Sequence, residues 1–355
     1  MMSESSVDGE RMLYPGFATK ANRIMIEDML GIKKGDRLLI TTSPSVPWEL
    51  ADSVREYAEG IGVKTRILSV GRMYGEPPSE AITSLARESD GIYNLGGGGW
   101  DQKKIVEAKV PQILVGGAPG IDESLVRTVV NVDPEEMRRE GWKIADAFTE
   151  ANHVRITSRL GTDYTEDISG IVGEALSGYA SDPRGTPWEY VPGSCPGIVE
   201  LRDKYAANGR LVFDGQLGDR GTTNPEPITV IVRNSKILDI QGGPEAEKLK
   251  QRIHDYLEKA ENKDDFYFPV EWGIGTNPNA TVVAPNGRRY LEWERLRGGI
   301  HMGFGSIQPY PVFHEGKLIN PEWEPAKFHS DLLMLYPTVH LDDKLIVKDG
   351  IIQKF

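Results

Sequence analysis

At 355 residues the chain is longer than one compact core of ordinary size and predicts two domains. Its 39% hydrophobic and 26% charged content is that of a globular protein, and a net charge of -12 argues against nucleic acid and anionic membrane as partners. A single Cys excludes an internal disulfide framework, the first residues lack the basic and apolar regions of a signal peptide, and no apolar run nears the roughly 20 residues of a membrane span, so a cytoplasmic protein is expected.

Helix-like and strand-like segments alternate up to about residue 150. A helix is predicted over Ala21–Leu30, ending at Gly31, and Gly35-Asp36 turns into a strand over Arg37–Thr41. Ser43 to Ser45 are expected to cap a helix over Pro47–Gly60. There follow a strand over Val63–Val70, a helix over Ser79–Ser89, a strand over Gly91–Leu95, a helix over Gln102–Ala108 and a strand over Gln112–Val115. Strands separated by helices mean a parallel sheet with right-handed crossovers, so residues 1–150 are expected to form a small doubly wound α/β domain. Glycines 96–99 and the run Gly116-Gly117-Ala118-Pro119-Gly120 follow two of these strands, but neither fits G-x-G-x-x-G, and they are read as tight turns.

A helix over Pro134–Glu150 leads into residues 151–355, expected to be a mixed α+β domain that carries the chemistry. Short strands are predicted over Val154–Leu160, Leu211–Asp214, Ile228–Arg233 and Lys236–Asp239, the last two joined through Asn234-Ser235 as a hairpin. Helix Glu245–Ala260 carries Leu249, Ile253 and Leu257 on one stripe, with His254 beside it facing solvent. Strands over Val339–Leu341, Leu345–Val347 and Ile351–Gln353 close the chain. Trp100, Trp188, Trp272 and Trp293 are assigned to core packing, and His153, His314 and His340 to structural roles.

Four good metal donors lie between Asp264 and Asp331. His329 and Asp331 are two apart, just before the apolar run Leu332 to Leu335, which predicts a buried strand ended by Pro337. Residues two apart on a strand share a face, and an ionised Asp there is costly to bury unless paired or bound to a metal. Glu271 arrives on an aromatic-rich stretch from Phe266 to Trp272, although Glu is normally found outside a core. His301 stands among Gly298, Gly299, Gly303 and Gly305, where the backbone can approach another surface closely. Each residue alone has an ordinary alternative: a strand-end cap, a partner for arginine, a surface salt bridge or a core imidazole. Together they predict a metal centre of Glu271, His301, His329 and Asp331, suited to zinc, manganese or iron. Separately, Gly193 to Gly197 fits G-x-C-x-G, a thiol form of the nucleophile elbow, which makes Cys195 a candidate nucleophile; Pro192 and Pro196 flank it, and a pocket wall or soft ligand is the competing role.

The order of Glu271 in E-x-G-I-G-x-N-P, His301 in H-x-G-F-G, and His329 and Asp331 in H-x-D before an apolar strand resembles the aminopeptidase T family of metalloaminopeptidases. It is also similar to the related mononuclear iron enzyme 2,5-dihydroxypyridine 5,6-dioxygenase. In the peptidase pattern a Glu bridges two metals, which the resemblance assigns to Glu271; the intermediate His corresponds to His301 and the last pair to His329 and Asp331. The pattern's first Glu precedes an N-G-x-x-V-x-D-G stretch, present here from Asn208 to Gly215, but Cys195 stands where that Glu would be. The Tyr expected shortly after the His has Tyr310 as its nearest counterpart. In the dioxygenase pattern the position of Glu271 is a His, and none is expected at His301.

The resemblance implies a divalent metal cofactor (zinc, manganese or iron), a small-molecule substrate and a homo-oligomer, dimeric or larger. Because Glu271 and His301 follow the peptidase pattern, the favoured expectation is a hydrolase acting on an amide-like bond through metal-activated water, with Glu271, Tyr310 and Cys195 as catalytic candidates. Cys195 in place of a Glu argues against a general aminopeptidase. The alternative is a mononuclear Fe(II) ring-cleaving dioxygenase of a dihydroxylated aromatic or N-heteroaromatic, with His301, His329 and Asp331 as its triad. A non-catalytic metal- or ligand-binding protein is the second alternative.

Overall fold

The computed structural model describes residues 15–71, 77–96, 98–115, 124–191, 195–199, 207–215, 226–282, 291–306, 312–319 and 328–355. The run from Gly116 to Gly120 lies outside them. Helix α1 (Pro15–Arg23) passes into a π-helical turn over Ile24–Met29, and β1 (Arg37–Thr42), α2 (Trp48–Gly60), β2 (Lys64–Ser69), α3 (Glu80–Arg87), β3 (Gly91–Asn94), α4 (Gln102–Glu107) and β4 (Gln112–Leu114) follow. Ser79 and Asp101 cap α3 and α4 by accepting from the backbone N–H groups of Ile82 and Lys104. The expected serine cap of α2 does not form. Pro47 holds the cap position, and Ser43 and Ser45 hydrogen-bond each other instead, 2.9 Å apart. Val46 precedes a proline and so avoids the helical region, which leaves the serines upstream of the first turn.

The chain then forms α5 (Pro134–Glu150), β5 (His153–Thr157), β6 (Asp163–Asp167), β7 (Gly173–Leu176) and β8 (Trp188–Tyr190). Strand β8 returns to pair with β4, so the parallel sheet has the order β2-β1-β3-β4-β8. Beyond it come β9 (Cys195–Val199), β10 (Asn208–Phe213), β11 (Ile228–Arg233), β12 (Lys236–Gln241), α6 (Pro244–Lys259), β13 (Phe266–Ile274), β14 (Ile300–Ser306), β15 (Phe313–His314), β16 (Lys317–Leu318), β17 (His329–Met334), β18 (Thr338–Leu341), β19 (Lys344–Lys348) and β20 (Ile351–Ile352). The β11–β12 hairpin turns at Asn234-Ser235, both with positive φ, as its short loop requires. His254 on α6 is exposed, as its place beside the apolar stripe implies.

Two antiparallel sheets share one core. One has eight strands in the order β12-β11-β10-β6-β5-β18-β19-β20, the other five in the order β17-β14-β13-β9-β7. Phe213 and Val230 from the first meet Phe268, Trp272, Met302 and Leu332 from the second. Helix α5 adds Ile144, Ala147 and Phe148 to the same core, with the Phe148 and Trp272 rings edge to face at 4.9 Å. It comes so close to β7 that a Cβ on Gly173 would lie 2.0 Å from the Ala145 carbonyl oxygen. Trp100, Trp272 and Trp293 are buried. Among the described residues no helix is long and apolar enough to cross a membrane.

Candidate metal centre

Strands β13, β14 and β17 are neighbours in the five-stranded sheet, and each reads as a period-2 pattern. Phe268, Trp272 and Ile274, then Ile300, Met302 and Phe304, then Leu332 and Met334 enter the core. The residues between them, Glu271, His301, Gly303, His329 and Asp331, belong to the opposite face. Pairing register aligns them. Glu271 and Asp331 both stand opposite Gly303, one on each side of β14, while His301 is opposite Gly273 and His329 opposite Gly305. Pro269 has no N–H for the ladder, and the β13–β14 register shifts between Tyr267 and Glu271 to accommodate it. The bulge ends where Glu271 begins, which re-aims the strand at the site.

One donor atom from each of Glu271, His301 and Asp331 falls within 4.8 Å of the others. Two bonds of about 2.2 Å to a common ion put donors at most about 4.4 Å apart, so a spread of up to 4.8 Å is close to the span that one ion bridges. His329 stands beside this group: its Nε2 lies 3.1 Å from Asp331 Oδ1 and 3.3 Å from Glu271 Oε1, while His301 Nε2 is 3.9 Å from Glu271 Oε1. The His301 side chain is 8% exposed and that of His329 22%, so approach is from the His329 side.

The electrostatics of this set favour positive charge within it. Burial holds His301 below the ordinary imidazole value, against the pull of Asp331 and Glu271. For His329 burial also disfavours the charged ring, but Asp331 and Glu271 outweigh it and hold its pKa well above the ordinary value. Asp331, which burial alone would raise, is held below the usual carboxylate range by His329 and His301. A protonated imidazole or a divalent metal ion supplies the positive charge that complements this pair of carboxylates. The mixed carboxylate and imidazole set fits zinc, manganese or iron as the divalent cofactor.

Further residues frame the centre. Arg295 is 2% exposed, its guanidinium sits 5.3 Å from the centre of the Tyr190 ring and contacts Glu294, and its charge is felt by both His301 and Asp331. The turn that carries Arg295 is laced to the segment after β4. Glu292 accepts from Ser124 Oγ at 2.5 Å and from Arg127 Nη2 at 3.0 Å, and Asn277 Nδ2 donates to the Thr128 carbonyl at 2.8 Å. Neither Gly303 nor Arg295 was singled out by sequence; the glycine of H-x-G-F-G was the available signal for the first, and the second has none. Of the remaining candidates, Cys195 opens β9 and pairs with Leu176, four positions along the strand from Val199, the partner of Glu271. Tyr310 lies outside the described residues.

Comparison with known proteins bears on this geometry. The sequence model of the NicX family, described as 2,5-dihydroxypyridine 5,6-dioxygenase, matches residues 121–354. Among solved structures, the fold is similar to that of 2,5-dihydroxypyridine dioxygenase from Pseudomonas putida KT2440, with a TM-score of 0.75 and 15% identity over 96% of this chain and 98% of that one. It is also similar to wild-type AmpT from Thermus thermophilus, with a TM-score of 0.67 and 14% identity over 95% of this chain and 99% of that one. No curated protein matches.

Proposed function

The chain belongs to the NicX family, described as 2,5-dihydroxypyridine 5,6-dioxygenase, and on that basis we propose that this metal-dependent enzyme is a mononuclear ring-cleaving dioxygenase of a dihydroxylated N-heteroaromatic. The observation that carries it is the gathering of donors from Glu271, His301 and Asp331 within 4.8 Å of one another, with His329 Nε2 3.1 Å from Asp331 Oδ1 and 3.3 Å from Glu271 Oε1. His301, His329 and Asp331 would hold an iron(II) ion, which would supply the chemistry of O2 activation toward a chelating substrate. His301 and His329 would serve as neutral donors and Asp331 as the anionic one. Glu271 Oε1, beside both imidazoles, is placed to take the proton that a substrate hydroxyl gives up as it binds. Cys195 and Tyr310 have no step in this mechanism.

A hydrolase of an amide-like bond is the second reading, favoured by one observation: a carboxylate, Glu271, at a position from which a general base could deprotonate a metal-activated water. Purification without added metal and without oxygen, followed by metal analysis and oxygen-electrode assays with 2,5-dihydroxypyridine, separates the two. About one iron per chain and one O2 consumed per substrate are expected. Zinc or manganese with amide hydrolysis and no O2 uptake would replace the dioxygenase by the hydrolase, and a chain that binds no metal would sink both.

A further inference from the structure

The H-x-G-F-G motif contains two glycines with different jobs. A Cβ on Gly305 would lie 2.0 Å from the Phe328 carbonyl oxygen, so this glycine is demanded by the close approach of β17, and the upstream Gly298 has φ +78 with a Cβ 1.8 Å from the Gly350 carbonyl oxygen. Both collide with backbone, which cannot yield cheaply. At Gly303 the neighbours are of another kind. A Cβ there would lie 2.7 Å from His329 Cε1, 2.9 Å from Glu271 Cγ and 3.1 Å from Asp331 Oδ1, all of them side-chain atoms and all from the proposed ligands.

We propose that Gly303 is a positioning residue of the metal centre, whose missing side chain lets donors from three strands reach one ion. This inference rests on the metal-centre reading above. Directly opposite residues in antiparallel strands have Cβ atoms about 4.5–5.5 Å apart, so positions on either side of a middle strand are about 10 Å apart. Glu271 and Asp331 are such a pair, and they close that gap by leaning over Gly303. His329 Nε2 reaches between them from the next position on β17 that shares their face. One methyl group on β14 would occupy the volume in which the three side chains cross. Gly303 is absent from the positive-φ glycines, so alanine meets no backbone penalty there. The three nearest contacts of the added methyl are all with the ligands.

The test is Gly303→Ala in the full chain, with two readouts: thermal melting in metal-free buffer, and anaerobic titration with Fe(II) alone. The expected result is a melting temperature close to that of the unchanged chain, with Fe(II) affinity weakened by about 100-fold, the upper end of what loss of ligand orientation costs. Wild-type affinity in the variant would overturn the inference and leave the metal centre standing. A variant that melts well below the unchanged chain would assign Gly303 to the fold and overturn it too. An unchanged chain that takes up none of Fe(II), Zn(II) and Mn(II) would remove the metal-centre reading and the inference with it.

Discussion

The two faces of the β17-β14-β13-β9-β7 sheet are built from the same strands and obey opposite rules. On the core face Phe268, Trp272, Met302, Phe304 and Leu332 are large, apolar and packed against a second sheet and a helix. On the other face Glu271, His301, His329 and Asp331 are small in number, charged or polar, and arranged around a glycine. Alternation with period 2 produces both at once, so a single run of residues supplies the core with its even positions and the candidate metal centre with its odd ones. The difference teaches that the site face is free to be electrostatically costly because the core face holds the strands in place.

That separation can be broken by substitution on either face. Asp331→Ala should lower kcat/KM by at least about 1000-fold and abolish stoichiometric metal binding, while metal-free thermal stability changes little. Metal analysis and melting curves on the same preparation check it, and a large loss of metal-free stability would show that the faces are not independent. Phe304→Ala, one residue from Gly303 on the core face, should cost about 3–5 kcal/mol in denaturant unfolding because it opens a cavity, with metal stoichiometry retained in the folded fraction.

A subtler test uses Glu166, a buried acid on the core side that touches Trp272 of β13. Glu166 accepts from Tyr164 Oη at 2.8 Å and Trp272 Nε1 at 3.2 Å, and burial pushes its carboxyl up to about 8. The folded chain therefore keeps a proton that the unfolded chain releases at its ordinary value of 4.5. Stability from this group is full below about pH 4.5, is lost as pH rises to about 8, and changes no further above that. Glu166→Gln, which stays neutral, should remove that slope, on the order of a few kcal/mol across the window. Unfolding measured at pH 5 and pH 8.5 reads it out; an unchanged slope would mean that Glu166 is ionised in the fold.

Much of this was legible in the chain. The H-x-D pair ahead of Leu332 to Leu335 announced both a strand and a shared face, because spacing of two is a local property. The alternating helices and strands up to Gln112 announced the parallel sheet, and Pro134–Glu150 was bounded as observed. Strands β6 to β9 were not foreseen. In β6 a buried Glu166 interrupts the apolar alternation, β7 and β9 contain glycine or proline, and β8 is three residues long. The lapse at the α2 cap came from reading serines without the constraint that Pro47 places on Val46.

By itself the sequence determined the candidate donors, their order and the face each takes on its own strand, since backbone geometry within a strand depends on neighbours in the chain. Only the tertiary structure decided that Glu271, His301, His329 and Asp331 meet. The strands that carry them are joined by long connections, and their register is set by pairing across the sheet. The same holds for Gly303 and Arg295, whose importance comes from side chains distant in sequence that converge on them.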